Sequence, residues 1–455
     1  MSRMLRVVVA AASLILAACA PASQPSAPTT APAAKPTEAP KPAATTAPAA
    51  TTAGSKPTES AKPAATTAPA AQPATKAAVS EVVIGSVHPL TGALAQDGAF
   101  LKNGIDLAVD EVNTAGGIKS LGGAKLRVSH ADSQGRPEVG QSETTRLIGE
   151  NVTALIGTYQ SAVTLNATQA AEQQKVPFVI DVTVANNILE RGFKYSFRIQ
   201  PDQTQMVQGL LEALPELKLA NGQPIRRIAF MHEDSLFGTG FADILKQLAP
   251  EAKLELVGTV PYTVANLTDV TTELTRLNAM NADAVFVTGY LADGILIART
   301  ARDIQLKAPL IGLANGAFST EAFVQQVTPA IANGILDANY HYDASKAKAR
   351  EVRDRYKSRF NADMPTHGVM AYEAVRVLAD ALERAGSTDR QKVRDALAAT
   401  KYADHILPYE GAIEFDDKGQ AKNARSVLMQ VQDSKILQVA PPKFAEAKPD
   451  FPPAR

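Results

Sequence analysis

The chain has 455 residues, which is too long for one ordinary domain of about 100–200 residues. Its 46 basic and 46 acidic residues give a formal net charge of zero, so no excess of charge indicates nucleic acid or an acidic surface as a partner. The single cysteine is Cys19, which excludes disulfides and thiolate metal sites from the rest of the chain.

Residues 1–19 are typical of an export signal. Arg3 and Arg6 precede a short apolar run over residues 7–17, which is too short to span a bilayer. The run ends in Leu16-Ala17-Ala18-Cys19, which resembles the lipobox of bacterial lipoproteins. In that family the cysteine thiol is lipidated and becomes the first residue after cleavage. The resemblance implies that Cys19 tethers the chain outside the cytoplasmic membrane; the alternative is a plain secretory signal.

Residues 20–79 consist mostly of Ala, Pro, Thr and Lys, with an internal repeat between 35–48 and 56–69. They contain almost no large apolar side chains, so burial cannot offset the entropy of ordering them. We expect a disordered, extended linker that holds the folded body away from the membrane.

The body begins with a strand–loop–helix–strand unit. An apolar run over 82–87 predicts a buried strand, and apolar residues spaced three or four apart over 101–112 predict a helix. A second strand over 125–130 makes a right-handed βαβ unit. The loop 88–92 then lies at the carboxyl end of a strand, where open α/β sheets bind ligands. The alternative is an ordinary βα turn.

Strands continue to alternate with helices along the body, which predicts two parallel α/β sheets. The expected strands are 154–157, 176–180, 196–199, 226–231, 254–260, 284–288, 309–312, 413–415 and 427–431. The expected helices after the first are 161–174, 203–214, 239–249, 267–280, one that opens at the loop 289–293, 344–360, 366–385 and 389–399. Residues 441–455 are expected to form an extended tail.

Short motifs recur through the body from about Val82 in a characteristic order. They are Pro89-Leu90-Thr91-Gly92, Asp110-Glu111-Val112-Asn113-Thr114-Ala115-Gly116-Gly117-Ile118, Asp132, Ile156-Gly157…Ser161, Phe197-Arg198…Pro201-Asp202, Phe237-Gly238 and Phe415-Asp416…Gly419. Together they resemble the periplasmic binding proteins of the leucine/isoleucine/valine class, which are the extracellular receptors of ABC importers.

The resemblance implies an α/β protein with the type I periplasmic binding protein fold. That fold has two doubly wound parallel-sheet lobes, joined by a three-strand hinge that closes around a ligand. The chain would cross between lobes near Pro201, Asp337 and His405. The first lobe would comprise 80–201 and 338–405, and the second 202–337 and 406–440.

The resemblance also implies ligand-binding residues. Ser161 matches the serine that holds the ligand carboxylate, a role that suits a hydroxyl at a helix start, although serine there also serves as a helix cap. Thr183 matches a position that supplies a backbone carbonyl and a hydroxyl, and Tyr290 a tyrosine that covers the ligand from the second lobe. We expect Tyr159 and Phe237 to form apolar walls.

One position departs from the family. Amino-acid binders of this class place an acid after the strand that matches 309–312, where it pairs with the ligand ammonium; here that loop contains Asn315 instead. An amide cannot neutralise a buried cation. Asp97 and Asp181 lie in loops on the cleft side and are candidates for that role, although Asp97 is equally a candidate helix cap and Asp181 an ordinary loop residue. A branched-chain or related amino acid leads as the ligand, followed by an amide, urea or a carboxylate without an ammonium.

No motif indicates an enzyme. Zinc-type histidine spacing, a nucleophile elbow, a Walker loop and a dinucleotide fingerprint are all missing from the sequence. We therefore expect no catalytic residues, no cofactor and no metal. The expected partners are a small-molecule ligand, an ABC permease with its ATPase, and the membrane through the lipid anchor, with the chain itself a monomer. The alternative is a ligand-sensing receptor ectodomain with the same fold.

Overall fold

The computed structural model describes residues 79–452. The predicted signal peptide and lipidated Cys19 lie outside the described residues, as does the predicted linker except for its last residue, Val79.

Most of the predicted strands and helices form, within a few residues of their expected ends. The strands are β1 Glu81–His88, β2 Lys125–Asp132, β3 Ala154–Gly157, β4 Phe178–Ile180, β5 Ser196–Arg198, β6 Arg227–Glu233, β7 Glu255–Tyr262, β8 Ala284–Thr288, β9 Leu310–Leu313, β10 Leu336–Asn339, β11 Val427–Gln432 and β12 Lys435–Ala440. The helices are α1 Ala95–Thr114, α2 Pro137–Gly149, α3 Ser161–Gln173, α4 Gln203–Ala213, α5 Leu236–Glu251, α6 Thr271–Ala279, α7 Leu291–Asp303, α8 Glu321–Gln326, α9 Pro329–Ala332, α10 Ala347–Phe360, α11 Thr366–Ala385 and α12 Arg390–Ala398.

One predicted strand does not form, and several elements were not predicted, namely α2, α8, α9, β10 and β12. The strand expected at 413–415 is wrong, because Ile413 and Phe415 form only isolated bridges, to Tyr402 and Ala421. Helix α2 was not predicted. Its first residue, Pro137, suits a helix start, but its apolar face is short, since only four of its residues are buried.

The strands form two sheets, and each sheet with its helices makes one lobe. The first sheet has the order β2-β1-β3-β4-β5 and is parallel throughout. The second has the order β12-β11-β10-β9-β8-β6-β7, in which β11 and β12 pair antiparallel at one edge. The expected α/β fold is confirmed, with this antiparallel edge as an addition.

Three segments carry the chain between the two sheets. The first lies between β5 and α4, the second between β10 and α10, and the third between α12 and β11. Helices α10–α12 lie in the sequence between β10 and β11 of the second sheet but pack on the first, since α11 contacts α1, β3 and β4. The exact lobe boundaries at 201, 337 and 405 stay a prediction.

Helix α11 packs in the core of the first lobe. Fifteen of its twenty residues are buried, so neighbouring elements cover it on almost all sides. Two glycines let it approach α1 closely, because a Cβ on Gly104 would overlap the backbone carbonyl of Gly368. This close approach brings the first turn of α1 and the first turn of α11 to the same end of the first sheet.

The last residues that the structure describes pack on the second sheet. Phe444 is buried against Val427 and Met429, and the Gln430 side chain bonds the backbone of Asp450 at 2.6 and 2.8 Å. Between residues 79 and 452, no helix combines the length and the apolar character needed to cross a membrane.

Candidate functional site

A cavity lies between the two lobes, where strands of both sheets end. Its volume is about 20 Å³, enough for about one water molecule, so the lobes are closed on each other. Its walls come from the loops after β3, β4, β8 and β9, from the start of α5, from the segment after β10 and from the first turn of α11. The lining residues are Tyr159, Ser161, Val182, Thr183, Val184, Phe237, Gly289, Tyr290, Ala314, Gly316, Tyr340 and His367.

Five of the eight predicted site residues line this cavity together: Tyr159, Ser161, Thr183, Phe237 and Tyr290. They meet because each follows a strand, and the carboxyl ends of parallel strands share one edge of a sheet. The other three, Asp97, Asp181 and Asn315, lie behind the cavity wall.

Ser161 is the first residue of α3 and is almost fully buried. The cap position belongs to Gln160, whose side chain makes no capping hydrogen bond. The first turn of a helix has N–H groups without acceptors inside the helix, and the helix dipole places positive potential there. The cavity therefore has one end suited to an anion, formed by the Ser161 hydroxyl and the start of α3.

Thr183 can offer a ligand its side-chain hydroxyl but not its backbone carbonyl. Its buried Oγ1 has no hydrogen-bond partner among the described residues. Its backbone oxygen already accepts from Nε2 of Gln200 at 2.5 Å and, at 3.4 Å, from Arg198. Both lone pairs of that oxygen are thus engaged, and the hydroxyl remains for a ligand.

Aromatic rings from both lobes pack together across the cavity. Tyr159, from the first lobe, lies 5.4 Å from Tyr290 of the second, measured between ring centroids, and Phe237 lies 5.6 Å from Tyr290. Gly316 lies against this cluster, because a Cβ added there would be 2.9 Å from the Tyr159 hydroxyl. The rings give the cavity an apolar wall that is complete only when the lobes are closed.

Asp97 lies in the first turn of α1 rather than at its cap, and its carboxylate is fully covered. The Tyr159 hydroxyl donates to its Oδ1 at 2.7 Å. Burial raises the pKa of Asp97 to about 7, an effect that the Tyr159 hydrogen bond opposes and nearby Asp293 increases. Asp97 thus sits directly behind a cavity-lining hydroxyl.

The side chains of Asp181 and Asn315 both form hydrogen bonds with other residues of the protein. Asp181 Oδ2 lies 2.8 Å from Nε2 of His88, and both side chains are buried. Asn315 Oδ1 accepts from the backbone N–H of Ala317 at 2.9 Å, whereas its Nδ2 is buried without a partner among the described residues. Nearby, burial raises the pKa of Asp337, which accepts from the Asn315 N–H, to about 7.

Sequence reasoning missed the two lining residues with polar side chains outside the predicted set, His367 and Tyr340. His367 Nε2 lies 3.3 Å from the Tyr159 hydroxyl, and its Nδ1 is buried without a partner among the described residues. Burial lowers the pKa of His367 to about 4, so the ring is neutral at pH 7. Burial, together with the charges of nearby carboxyl groups, raises the pKa of Tyr340 well above 10. The available signal was a histidine in the first turn of a predicted helix, two residues after Pro365.

The polar groups in the cavity wall carry no formal charge. Among residues 79–452, no Asp, Glu, Lys or Arg lines it. Within the same range, no three His, Cys, Asp or Glu side chains are grouped so that they could hold a metal ion. Hydroxyl groups, a neutral imidazole and a helix start are therefore the polar groups that a ligand would meet.

Comparison with known proteins identifies the group to which this architecture belongs. The family profile described as periplasmic binding protein matches residues 81–435. A Leu/Ile/Val-binding protein homolog 8 of Brucella suis biovar 1 is 29% identical over 387 residues, covering 83% of this chain and 95% of the relative.

Solved structures agree on the fold. The branched-chain amino acid transporter substrate-binding protein LivJ of Streptococcus pneumoniae, in complex with isoleucine, is 25% identical with a TM-score of 0.69, covering 78% of this chain and 97% of that one. A solute-binding protein of an ABC transporter from Rhodopseudomonas palustris BisB5, in complex with 3,4-dihydroxybenzoic acid, is 21% identical with a TM-score of 0.67, covering 81% and 98%.

Proteins of this kind bind small molecules outside the cytoplasm and work with ABC transporter permeases. The match covers both lobes and all three segments between them. With its type I fold and a cavity between two closed lobes, this chain belongs to the periplasmic binding protein family.

Proposed function

We propose that the chain is the substrate-binding component of an ABC importer and that it captures a small carboxylate ligand between its lobes. The observation that carries the proposal is the closed cavity, to which both sheets contribute the ends of their strands. Closure around the ligand favours the closed population, which would present the loaded protein to the permease.

The ligand carboxylate would lie at the start of α3. The Ser161 hydroxyl and the free N–H groups of the first helical turn supply donors to an anion. The Thr183 hydroxyl is buried without a partner among the described residues and supplies another. The rings of Tyr159, Tyr290 and Phe237 would cover the apolar part of the ligand.

The first candidate ligand is a branched-chain amino acid, because the names of the relatives refer to ligands of this class. Its ammonium would need an acceptor at the other end of the cavity. Asp97 is the first candidate for that acceptor, since its carboxylate accepts a hydrogen bond from the Tyr159 hydroxyl, which lines the cavity. We infer that Asp97 would compensate the ammonium through that hydroxyl, with Asp181 and the Asn315 amide as the remaining candidates.

The second candidate is a carboxylate without an ammonium. Two observations favour it: no acidic residue among the described ones lines the cavity, and the Thr183 carbonyl is already engaged by Gln200 and Arg198. A buried ammonium without a compensating charge is costly. Neutral His367 and the tyrosine rings would instead suit a planar or branched apolar body.

Thermal unfolding with matched ligands separates the two candidates. The protein is first stripped of bound ligand by unfolding and refolding. It is then melted with leucine, isoleucine, 4-methyl-2-oxopentanoate, 4-methylpentanoate and 3,4-dihydroxybenzoate. A ligand present at 100 times its Kd stabilises the native state by about 2.7 kcal/mol, which raises the midpoint.

A shift with leucine but not with its oxo acid would establish an ammonium site, whereas the reverse would establish the second candidate. Ser161→Ala should reduce the shift, and Ser358→Ala on the exposed face of α10 should leave it unchanged. No shift with any of the five compounds, or with a wider panel of amides and urea, would contradict the proposed function.

We also propose that the mature chain is a monomer held to the membrane by a lipid on Cys19, with residues 20–79 as its tether. The support is the lipobox-like sequence and the position of the single thiol. Cys19→Ala should move the protein from the membrane fraction to the soluble extracytoplasmic fraction, while Ser23→Ala should not. A variant that stays in the membrane fraction would contradict the anchor.

A further inference from the structure

A continuous chain of polar side chains crosses the first sheet on the face that α1 covers. Ser86 and His88 lie two residues apart on β1, so their side chains point to the same face of the sheet. His130 of β2 lies opposite Ser86 in the parallel pair and shares that face. We call the whole set the histidine relay; its members are Asp181, His88, Ser86, His130 and Asp106.

Four hydrogen bonds join the histidine relay without a break. Asp181 Oδ2 lies 2.8 Å from Nε2 of His88, and Nδ1 of His88 lies 2.9 Å from the Ser86 hydroxyl. The same hydroxyl lies 3.2 Å from Nδ1 of His130. Nε2 of His130 lies 2.9 Å from Oδ1 of Asp106. The relay thus extends from the loop after β4 to helix α1.

The two ends of the relay lie in different surroundings. Asp181 is fully buried and directly precedes residues 182–184, which line the interlobe cavity. The Asp106 side chain is 23% exposed and accepts a hydrogen bond from Lys102 at 2.5 Å. Burial would raise the pKa of Asp106, but hydrogen bonds from His130 and Lys102 lower it overall, so this carboxyl stays ionised. The relay therefore connects the back of the ligand loop with the protein surface.

The relay needs one proton more than a serine and two neutral histidines supply. A hydrogen bond contains one hydrogen, so the four bonds of the relay contain four. The Ser86 hydroxyl brings one hydrogen, and each neutral imidazole brings one. Ionised carboxylates only accept, so the fourth hydrogen is an additional proton on His88 or on His130.

The additional proton has two positions. On His88 it forms an imidazolium beside Asp181, and the Ser86 hydroxyl then donates to Nδ1 of His130. On His130 it forms an imidazolium beside Asp106, and the Ser86 hydroxyl then donates to Nδ1 of His88. Transfer of the His88 Nδ1 proton to the Ser86 oxygen, with release of the Ser86 proton to His130, converts the first position into the second.

The position of this proton sets the charge behind the interlobe cavity. With the proton on His88, the charges of His88 and Asp181 cancel. With the proton on His130, Asp181 stays as a carboxylate beside a neutral imidazole. An anion in the cavity therefore favours the first position and a cation favours the second, because like charges repel over such short distances in a buried site.

Tyr340 and Asp132 lie beside the relay and keep a fixed charge near pH 7. Burial, with the charge of Asp181, raises the pKa of Tyr340 well above 10, so its hydroxyl stays neutral. Asp132 lies opposite His88 across the pair of strands. Burial would raise the pKa of Asp132, but hydrogen bonds from Thr91 and its neighbours lower it overall, so it stays ionised. The two histidines are thus the groups that gain or lose the proton.

We propose that the histidine relay holds one proton at neutral pH and matches the charge behind the ligand cavity to the charge of the ligand. A carboxylate without an ammonium draws the proton to His88, which cancels the charge of Asp181. An ammonium held against the same wall draws the proton to His130. The proton count depends on the relay alone, whereas the response to ligand rests on the proposed function.

Long-range ¹H–¹⁵N correlation spectra of the full chain, labelled at its histidine rings, count the protons, because protonated and unprotonated ring nitrogens have well-separated shifts. His88→Gln and His130→Gln assign the two rings. Without ligand at pH 7, we expect three of the four ring nitrogens of this pair to carry a proton. As the pH rises, both rings should report the loss of one proton at the same midpoint. His130, which is only partly buried, gives the readout if His88→Gln fails to fold.

Two variants break the relay. Ser86→Ala removes the bridge between the imidazoles and should lower the midpoint by about 1–2 pH units, since hydrogen bonds to a charged group favour its charged form. Asp106→Asn removes the carboxylate beside His130 and should lower the midpoint too, which provides the test if Ser86→Ala fails to fold. The controls are Ser129→Ala, on the opposite face of β2, and the exposed Asp110→Asn, one turn further along α1; both should leave the midpoint unchanged.

Two ligands that differ in the ammonium group test the response, and whichever binds in the melting assay is used. 4-Methylpentanoate should increase the protonation of His88, whereas leucine, which carries the ammonium, should increase that of His130. Above the midpoint the relay has lost its proton, so 4-methylpentanoate should bind at least about threefold more weakly than at pH 7, because Asp181 repels it. Ser86→Ala should show the same weakening at a lower pH.

Three results would overturn the proposal: two neutral rings at pH 7, separate midpoints that Ser86→Ala leaves unchanged, or a bound ligand that moves the proton to neither ring. If neither compound binds, the proposed function fails and the response to ligand fails with it, whereas the ligand-free spectra still decide the proton count.

Discussion

Replacing Asp97 by asparagine should remove a pH-dependent cost from the folded protein. The Asp97 carboxyl is buried, and burial raises its pKa from 3.8 to about 7. Asparagine has nearly the same shape and keeps an oxygen that can accept from the Tyr159 hydroxyl, which now lies 2.7 Å from Oδ1. The substitution therefore removes the titration and preserves the packing.

The sign of the pH effect follows from the protonation of Asp97 in the folded and in the unfolded protein. Between pH 3.8 and about 7 the folded protein keeps the Asp97 proton, whereas the unfolded chain releases it. The free energy of unfolding therefore falls as the pH rises through this window and levels off above it. At about 1.4 kcal/mol per pKa unit, the full cost reaches about 4 kcal/mol.

Urea unfolding of both proteins from pH 4 to pH 8 measures this term. The free energy of unfolding of Asp97→Asn, minus that of the original protein, should rise by up to about 4 kcal/mol across the range. Asp417→Asn, which removes an exposed carboxyl far from the cavity, should show no such rise. A difference that stays flat with pH, or that falls as the pH rises, would refute the reasoning.

Three further changes test the cavity and the segments between the lobes. Gly316→Ala should weaken ligand binding at least tenfold in calorimetry, because its Cβ would lie 2.9 Å from the Tyr159 hydroxyl and oppose closure. Ser161→Ala should weaken binding of a carboxylate ligand about 10–100-fold in the same assay, since hydrogen bonds to charged groups contribute about 1.5–3 kcal/mol. Gln420→Ala should lower the free energy of urea unfolding by about 1–3 kcal/mol, because it leaves the buried Nε of Arg198 without its 2.6 Å acceptor.

Each of these changes has a control or a contrary result. Gly149→Ala adds a Cβ that meets nothing within 4 Å, so it should leave binding unchanged. Unaltered affinity in Gly316→Ala would show that closure does not bring Tyr159 and Gly316 together. If Ser161→Ala binds as well as the original protein, the carboxylate does not lie at the start of α3. Unchanged stability of Gln420→Ala would mean that the Arg198 guanidinium finds another acceptor.

The fold was predictable because the spacing of apolar residues along the chain indicates most of its helices and strands. Helix 366–385 was placed at its observed ends, since an apolar stripe and Pro365 both mark its course. Strands β3 and β8 were likewise placed at their observed ends as short apolar runs. Helix α2 and the 413–415 region have weaker patterns, and tertiary contacts decide their conformation.

The candidate site was predictable only where it follows the ends of strands. Tyr159, Ser161 and Tyr290 come directly after parallel strands, so topology alone brings them together. His367 reaches the cavity through the packing of α11 on α1, and its position in the first turn of a predicted helix does not by itself indicate that packing. Asp97 was predicted on the cleft side, but only the packed structure shows that a tyrosine hydroxyl separates it from the cavity.

The return of the chain to the first lobe has a consequence for biosynthesis. The first sheet is complete at Arg198, but α11, which covers part of it, begins only at Thr366. A chain that emerges from its N-terminus therefore cannot close its first core until most of its length has appeared. Exposed apolar surface persists during that interval, which exposes the nascent chain to aggregation and calls for chaperones.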